Sequence, residues 1–141
     1  MTHSPICLDA NLVIRLVVDV HDNRIQSQWE QWAAEQRQLL APALLWYEVT
    51  NALYQYHKHN ILVESILGEA LATALLLPVQ IIADANLHPR ALVLAQQLNL
   101  PATYDAHYLA LAEQFKAEFW TTDKKLVTAV SPTLPWIHLW A

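Results

Sequence analysis

Short apolar runs alternate along this chain with longer stretches whose apolar residues recur at helical spacing. After Pro5 the run ICL ends in Asp9 and reads as a buried strand, and Asn11 is placed to cap a helix reaching about residue 19. From about Asn23 to Gln36 the pattern is that of a polar amphipathic helix carrying Trp29 and Trp32, and QLLAP predicts a second strand closed by Pro42. Helices are predicted from about Ala43 to His59 and from about Val63 to Leu76, where Pro78 stops the second. VQIIA predicts a third strand, and HPRALVLAQQLN a helix with Pro89 in its first turn. Then follow a helix over YDAHYLALAEQF, a fourth strand over AEFWTT ending near Asp123, a short helix KKLVTAV and a last strand in PWIHLW.

Short apolar strands separated by helices predict an α/β fold: a three-layer α/β/α sandwich around a short, mostly parallel sheet. In such sheets ligands bind beyond the carboxyl ends of the strands, so the residues that follow each strand carry the interest.

Composition narrows the picture. The 141 residues, 55% hydrophobic and 15% charged, suit one domain over 1–141 with a real core and argue against disorder. Cys7 is the only cysteine, which excludes an internal disulfide and a cysteine-rich zinc site and leaves a buried, inert thiol. The start MTHSPICLD has no basic region ahead of its apolar run, and stretches such as ATALLLPV fall far short of the roughly 20 residues that cross a bilayer. A cytoplasmic protein without a membrane partner is therefore expected. The single glycine, Gly68, excludes glycine-rich phosphate loops. With a net charge of −5, any contact with nucleic acid has to rest on a local site, or on metal ions that reverse the sign of an acidic one.

Four acids stand out. Asp9 follows the first strand and Asp123 the fourth. Asp105 opens a helix on whose same face lie Tyr108, Leu109 and Ala112, and Glu48 edges an apolar face beside Leu44, Leu45 and Ala52. Singly, each of the first three has a plain structural explanation. Asp9 suits a strand-end turn or cap, Asp123 a cap for the helix at Lys124, and Asp105 the positive end of a helix dipole. Glu48 has no capping role to play. Gathered at one end of a sheet, the four would repel one another unless protonated or bridged by cations. Hard ions such as Mg²⁺ or Mn²⁺ take such all-oxygen sites, and ions held there suit attack of water on a phosphodiester.

The pieces ICLDANLVI, LLWYEVTNAL, TYDAHYLALAEQF and FWTTDKKL, in this order, closely resemble the four acidic motifs of PIN-domain nucleases, and among these the VapC-type toxins of bacterial toxin–antitoxin modules. The stretch from Tyr104 to Leu126 is the most specific part. The resemblance implies a PIN-like fold, with Asp9, Glu48, Asp105 and Asp123 as catalytic acids that hold Mg²⁺ or Mn²⁺. It further implies that Asn11 and Thr121 support the first and last acids, and that Asn51 orients Glu48. Plainer roles for these three are a helix cap, a strand-end hydroxyl and an interhelical hydrogen bond. What it implies about activity is a metal-dependent endoribonuclease cutting structured RNA such as tRNA or rRNA. It also implies homodimers and inhibition by a small cognate antitoxin.

Arg15, one turn beyond Asn11, can reach RNA or a neighbouring carboxylate, or be a surface arginine, while Lys124 and Lys125 can meet RNA phosphates or simply be solvated. The seven histidines show no metal-binding spacing, and none is given a catalytic role. Trp29, Trp32, Trp136 and Trp140 suit core or rim packing, or a surface for another chain, and the two helices over 43–76 carry more apolar residues than one buried face needs. Two further readings differ in class. One is a PIN-like module that binds RNA or protein without turnover; the other is a haloacid-dehalogenase-type phosphatase, suggested by Asp-x-Asn alone.

Overall fold

A computed structural model describes residues 3–141. Its elements follow the sequence pattern closely: β1 (Ile6–Leu8), α1 (Ala10–Val18), α2 (Asn23–Ala34), β2 (Leu39–Pro42), α3 (Leu44–Lys58), α4 (Glu64–Leu75), β3 (Val79–Ile82), α5 (Leu87–Gln97), α6 (Tyr104–Phe115), β4 (Glu118–Thr121), α7 (Lys124–Val130) and β5 (Ile137–Leu139). The strands form a five-stranded sheet in the order β3-β2-β1-β4-β5, and every pairing in it is parallel. The expected three-layer α/β architecture is therefore present, with a sheet that is wholly rather than mostly parallel.

Parallel pairing requires every strand to be followed by a crossover, and the helices supply these on both faces. Strand parity assigns the faces. Ile6 and Leu8 of β1 join Leu39, Ile25, Trp32 and Trp140 in one cluster, while Cys7 points the other way to join Phe119, Tyr108 and Leu109. Cys7 Sγ lies 3.6 Å from the Tyr108 carbonyl oxygen, to which it donates, so α6 lies directly against β1. Helix α1 is apolar on two sides: Leu12 and Leu16 enter the first cluster, Val13 and Val17 the second, where α3 contributes Leu45, Val49 and Leu53.

Because β2 lies on one side of β1 and β4 on the other, the chain reverses its direction of growth at β1. Cys7 pairs with Phe119 and Leu8 with Trp120, so the next residues outward, Asp9 and Thr121, leave the sheet side by side. The Asp9 N–H donates to the Trp120 carbonyl at 3.0 Å and carries that pairing one step past β1. This is the crevice in which open α/β sheets bind ligands.

The outer helices are not fully covered. Tyr47 is 74% exposed and Leu76 85%, with Tyr54, Ile66 and Leu75 also open, in keeping with the apolar excess noted over 43–76. Among the tryptophans, Trp32 and Trp140 are buried, and Trp29 and Trp136 are half-buried. No helix of the described residues is long and apolar enough to cross a membrane.

The contrast between the buried Phe119 and the open Tyr47 gives a stability test. Phe119→Ala is expected to cost about 3–5 kcal/mol in urea unfolding, through lost burial and an unfilled cavity. Tyr47→Ser should stay within about 0.5 kcal/mol of the parent.

Candidate active site

Asp9, just past β1, is buried, and its environment is built by β4. The Thr121 hydroxyl, itself fully buried, donates to Asp9 Oδ2 at 2.7 Å. Asn11 Nδ2 lies 3.2 Å from the same oxygen and 3.1 Å from Thr121 Oγ1, and donates to both. The Asn11 carbonyl oxygen accepts from the Thr122 N–H at 3.1 Å, and Thr121 Oγ1 accepts from the Asp123 N–H at 3.0 Å. Asn11 thus ties the start of α1 to the end of β4. It does not cap α1: the helix begins at Ala10, Asp9 occupies the capping position without a side-chain cap bond, and Asn11 stands inside the first turn. A carboxylate that accepts a buried hydroxyl and an amide has spent its local polar partners, so the cap is left to other groups.

Asp123 does cap α7, through Oδ1 accepting from the Leu126 N–H at 3.1 Å. The plain structural role and a place in the acidic group are therefore compatible, since Oδ2 remains free of that bond. Asp105 stands in the first turn of α6, half-buried, with Tyr108, Leu109 and Ala112 beneath it fully buried as the spacing predicts. Glu48 projects from the middle of α3, where Tyr108 holds it: the phenol hydroxyl donates to Oε1 at 2.6 Å.

Tyr108 is the residue sequence reasoning placed in the core and left there. The available signal was a hydroxyl on an otherwise apolar helix face, because a buried tyrosine needs a partner for its O–H. Asn51, expected to orient Glu48, is exposed one turn further along α3 and makes no hydrogen bond to it. One turn of helix carries Asn51 to the outside, and the orienting group comes from α6 instead.

The electrostatics link all four acids. Burial, and after it the carboxylates of Asp105 and Glu48, push Asp9 up to about 7, although the Thr121 hydroxyl pulls the other way. Asp105 is raised first by burial, then by Asp123 and Glu48. Burial likewise raises the Cys7 thiol, which suits the inert role expected of it. No cationic side chain relieves Asp9 or Asp105. Arg15 turns away from the acids, with Nε donating to Asp22 Oδ2 at 3.2 Å, while Lys124 and Lys125 are exposed in the first turn of α7.

Carboxylate oxygens are the donors that hard divalent cations take. Among the described residues, however, no group of three or more Asp, Glu, His or Cys side chains is gathered closely enough to hold a metal ion. The histidines lie elsewhere: His107 Nδ1 is 2.6 Å from the Thr103 carbonyl, and its Nε2 is 2.9 Å from His88 Nδ1.

Comparison with known proteins bears on both fold and site. No curated protein matches the sequence. Among solved structures, the chain is similar to one from a toxin–antitoxin complex of Klebsiella pneumoniae, with a TM-score of 0.64 and 22% identity over 94% of each chain. It is also similar to PAE2754 of Pyrobaculum aerophilum, with a TM-score of 0.68 and 21% identity over 89% of this chain and 79% of the other. At that identity the likeness is one of fold. The PIN domain profile matches residues 6–130, a span that takes in Asp9, Glu48, Asp105 and Asp123 together with the strands and helices that present them. By that match, over most of its length, the chain belongs to the PIN domain family.

Proposed function

We propose that this protein is a metal-dependent endoribonuclease of the VapC toxin type, cutting RNA at the carboxyl end of β1 and β4. PIN domains are generally metal-dependent nucleases. The observation that carries the reading here is the uncompensated acidic centre, where burial and the neighbouring carboxylates raise Asp9 and Asp105.

Asp9, Glu48, Asp105 and Asp123 would hold Mg²⁺ or Mn²⁺, directly or through water. When bound, such an ion withdraws charge from the phosphoryl oxygens and makes water a better nucleophile at neutral pH. Thr121 and Asn11 fix the rotamer of Asp9, and Tyr108 fixes Glu48, so the carboxylates are set before substrate arrives. Arg15, Lys124 and Lys125 are the substrate-side cations of this reading. The presence of all four acids speaks against a catalytically silent binding module.

The similar Klebsiella pneumoniae structure comes from a toxin–antitoxin complex, which supports an antitoxin as partner. The open apolar positions on α3 and α4 are suited to a second copy of the chain or to that partner. A tRNA or rRNA target and a cytoplasmic setting accompany the toxin reading.

The sign of the Asp9 shift yields a stability test. Its folded value of about 7 lies above the ordinary carboxyl value of 3.8, so Asp9 favours folding at low pH and loses that contribution as pH rises from about 4 through 7. Metal-free protein should therefore melt progressively lower over this interval relative to Asp9→Asn. The variant should be the more stable by about 1–3 kcal/mol at pH 8, and Mn²⁺ should raise the Tm of the parent but not of the variant. Parallel Tm curves for the two proteins in EDTA would contradict the burial argument.

Activity supplies two further tests. Asp105→Asn, folded by circular dichroism, should lose at least about a hundredfold in Mn²⁺-dependent cleavage of a purified RNA pool; undiminished cutting overturns the mechanism. Tyr108→Phe should cut roughly tenfold more slowly or need more Mn²⁺, because Glu48 loses its anchor.

A further inference from the structure

Next to the residues that hold Asp9 lies a cavity of about 290 Å³, lined by Asn11, Ile14, Arg15, Val18, Asp19, Tyr56 and Thr122. It borders the acidic centre at Asn11, whose amide donates to Asp9 and accepts from the Thr122 N–H. Its contents are chemically mixed. Arg15 offers a cation, Asp19 an exposed carboxylate, Tyr56 a hydroxyl, and Ile14 and Val18 an apolar wall.

Arg15 is held in place from outside the cavity. Its Nε donates to Asp22 Oδ2 at 3.2 Å, and its guanidinium carbon lies 4.9 Å from the centre of the Trp140 ring. Asp22 is itself fixed, because its other oxygen caps α2 by accepting from Arg24 N–H at 3.0 Å and Ile25 N–H at 3.4 Å. Trp140 is buried, and its backbone N–H donates to the Thr121 carbonyl at 2.8 Å, which ties the platform to the strand end that carries the site. Arg24 stacks over the same ring at 5.0 Å and, like Arg15, belongs to this assembly. Among the described residues neither terminal nitrogen of Arg15 has a protein partner, so its two-pronged face is available to a ligand.

A bare anion is a poor match, since Asp19 would repel it. A bare cation is a poor match because of Arg15. A phosphate carrying a ribose satisfies both: the anion meets the guanidinium and the sugar hydroxyl donates to the carboxylate. We propose that this cavity is a ribonucleotide subsite for the nucleotide adjoining the scissile bond. In it Arg15 takes the phosphate and Asp19 with Tyr56 takes the ribose 2′-hydroxyl, while Asp22 and Trp140 act as positioning residues for Arg15. The inference rests on the ribonuclease reading and adds to it a basis for choosing RNA over DNA.

The test is binding without turnover. A fluorescein-labelled single-stranded RNA and the DNA of the same sequence are titrated, in Mn²⁺, against Asp105→Asn protein and against further variants in that background. Arg15→Gln is expected to weaken RNA binding about tenfold and to lower the slope of log affinity against log salt by about 0.7. Asp22→Asn keeps a good helix cap and should weaken binding about threefold, lowering the same slope while leaving the urea midpoint of unfolding unchanged. The double variant Asp19→Asn with Tyr56→Phe should bind RNA and DNA alike. If Asp105→Asn protein binds RNA but Arg15→Gln leaves both affinity and salt slope unchanged, the subsite is wrong. Survival of the RNA preference in the double variant overturns its sugar-reading half. If the Asp105→Asn protein binds no RNA at all, and the parent cuts none, the ribonuclease reading itself fails and the subsite with it.

Discussion

The parallel pairing of β1 with β4 is the constraint on which the rest depends. It sets Asp9 beside Thr121, and the polar contacts around Asp9 follow from that adjacency: the hydroxyl on Asp9, the Asn11 bridge, and the Asp123 N–H folded back onto Thr121. A one-residue slip of either strand would turn Asp9 or Thr121 to the opposite face and leave a carboxylate among Leu12, Trp32 and Trp140. Apolar residues enforce the register. Cys7 and Phe119 are fully buried on the α6 side, Ile6 and Leu8 on the other, and neither set can be exposed cheaply. The core thus does the aiming, and the acids inherit their positions from it.

That arrangement opposes folding locally. Burying Asp9 near the carboxylates of Asp105 and Glu48 works against folding once it ionises, and among the described residues no arginine or lysine offsets it. The contrast with the other end of the sheet is instructive. There Glu118, at the start of β4, receives Arg37 Nη2 at 2.7 Å and the Trp120 indole N–H at 3.0 Å, and these bonds hold its carboxyl low although burial alone would raise it. The same strand therefore begins at a carboxylate with internal partners and ends at carboxylates without a counter-charge. Opposite treatment of like groups on one short strand is the mark of a site kept open for something outside the chain.

Much of this was legible beforehand, for identifiable reasons. Helix α6 and helix α7 run where YDAHYLALAEQF and KKLVTAV predict: Lys116 turns to the left-handed region after α6, and Asp123 caps the start of α7. The inward aim of Asp105 follows from helical periodicity, which is local. What was illegible is long-range. Asn11 as a cap follows from local position and Asn51 as the partner of Glu48 from the family resemblance; in the structure Asn11 bonds Asp9 and Thr121, and Glu48 bonds Tyr108. Arg15 likewise was left between RNA and a carboxylate, and the structure gives it Asp22, seven residues on and past the end of its own helix. Periodicity states which face a side chain occupies. It does not state which element stands opposite.

The net charge of −5 then acquires a meaning that composition alone could not give it. A polyanionic substrate approaching four carboxylates is repelled, and the cations on its side are few: Arg15 already shared with Asp22, and two lysines in solvent. On the ribonuclease reading, divalent ions at the acids therefore do double duty. They supply the chemistry, and they also reverse the sign of the surface that RNA must touch. Substrate binding and catalysis are then gated by the same event, so that a protein without its metal is both inactive and weakly attracted to RNA. An arginine-rich surface would remove that coupling by holding RNA whether or not the centre was loaded; here, among the described residues at the site, Arg15 alone presents free guanidinium nitrogens, so the coupling is weakened but not lost.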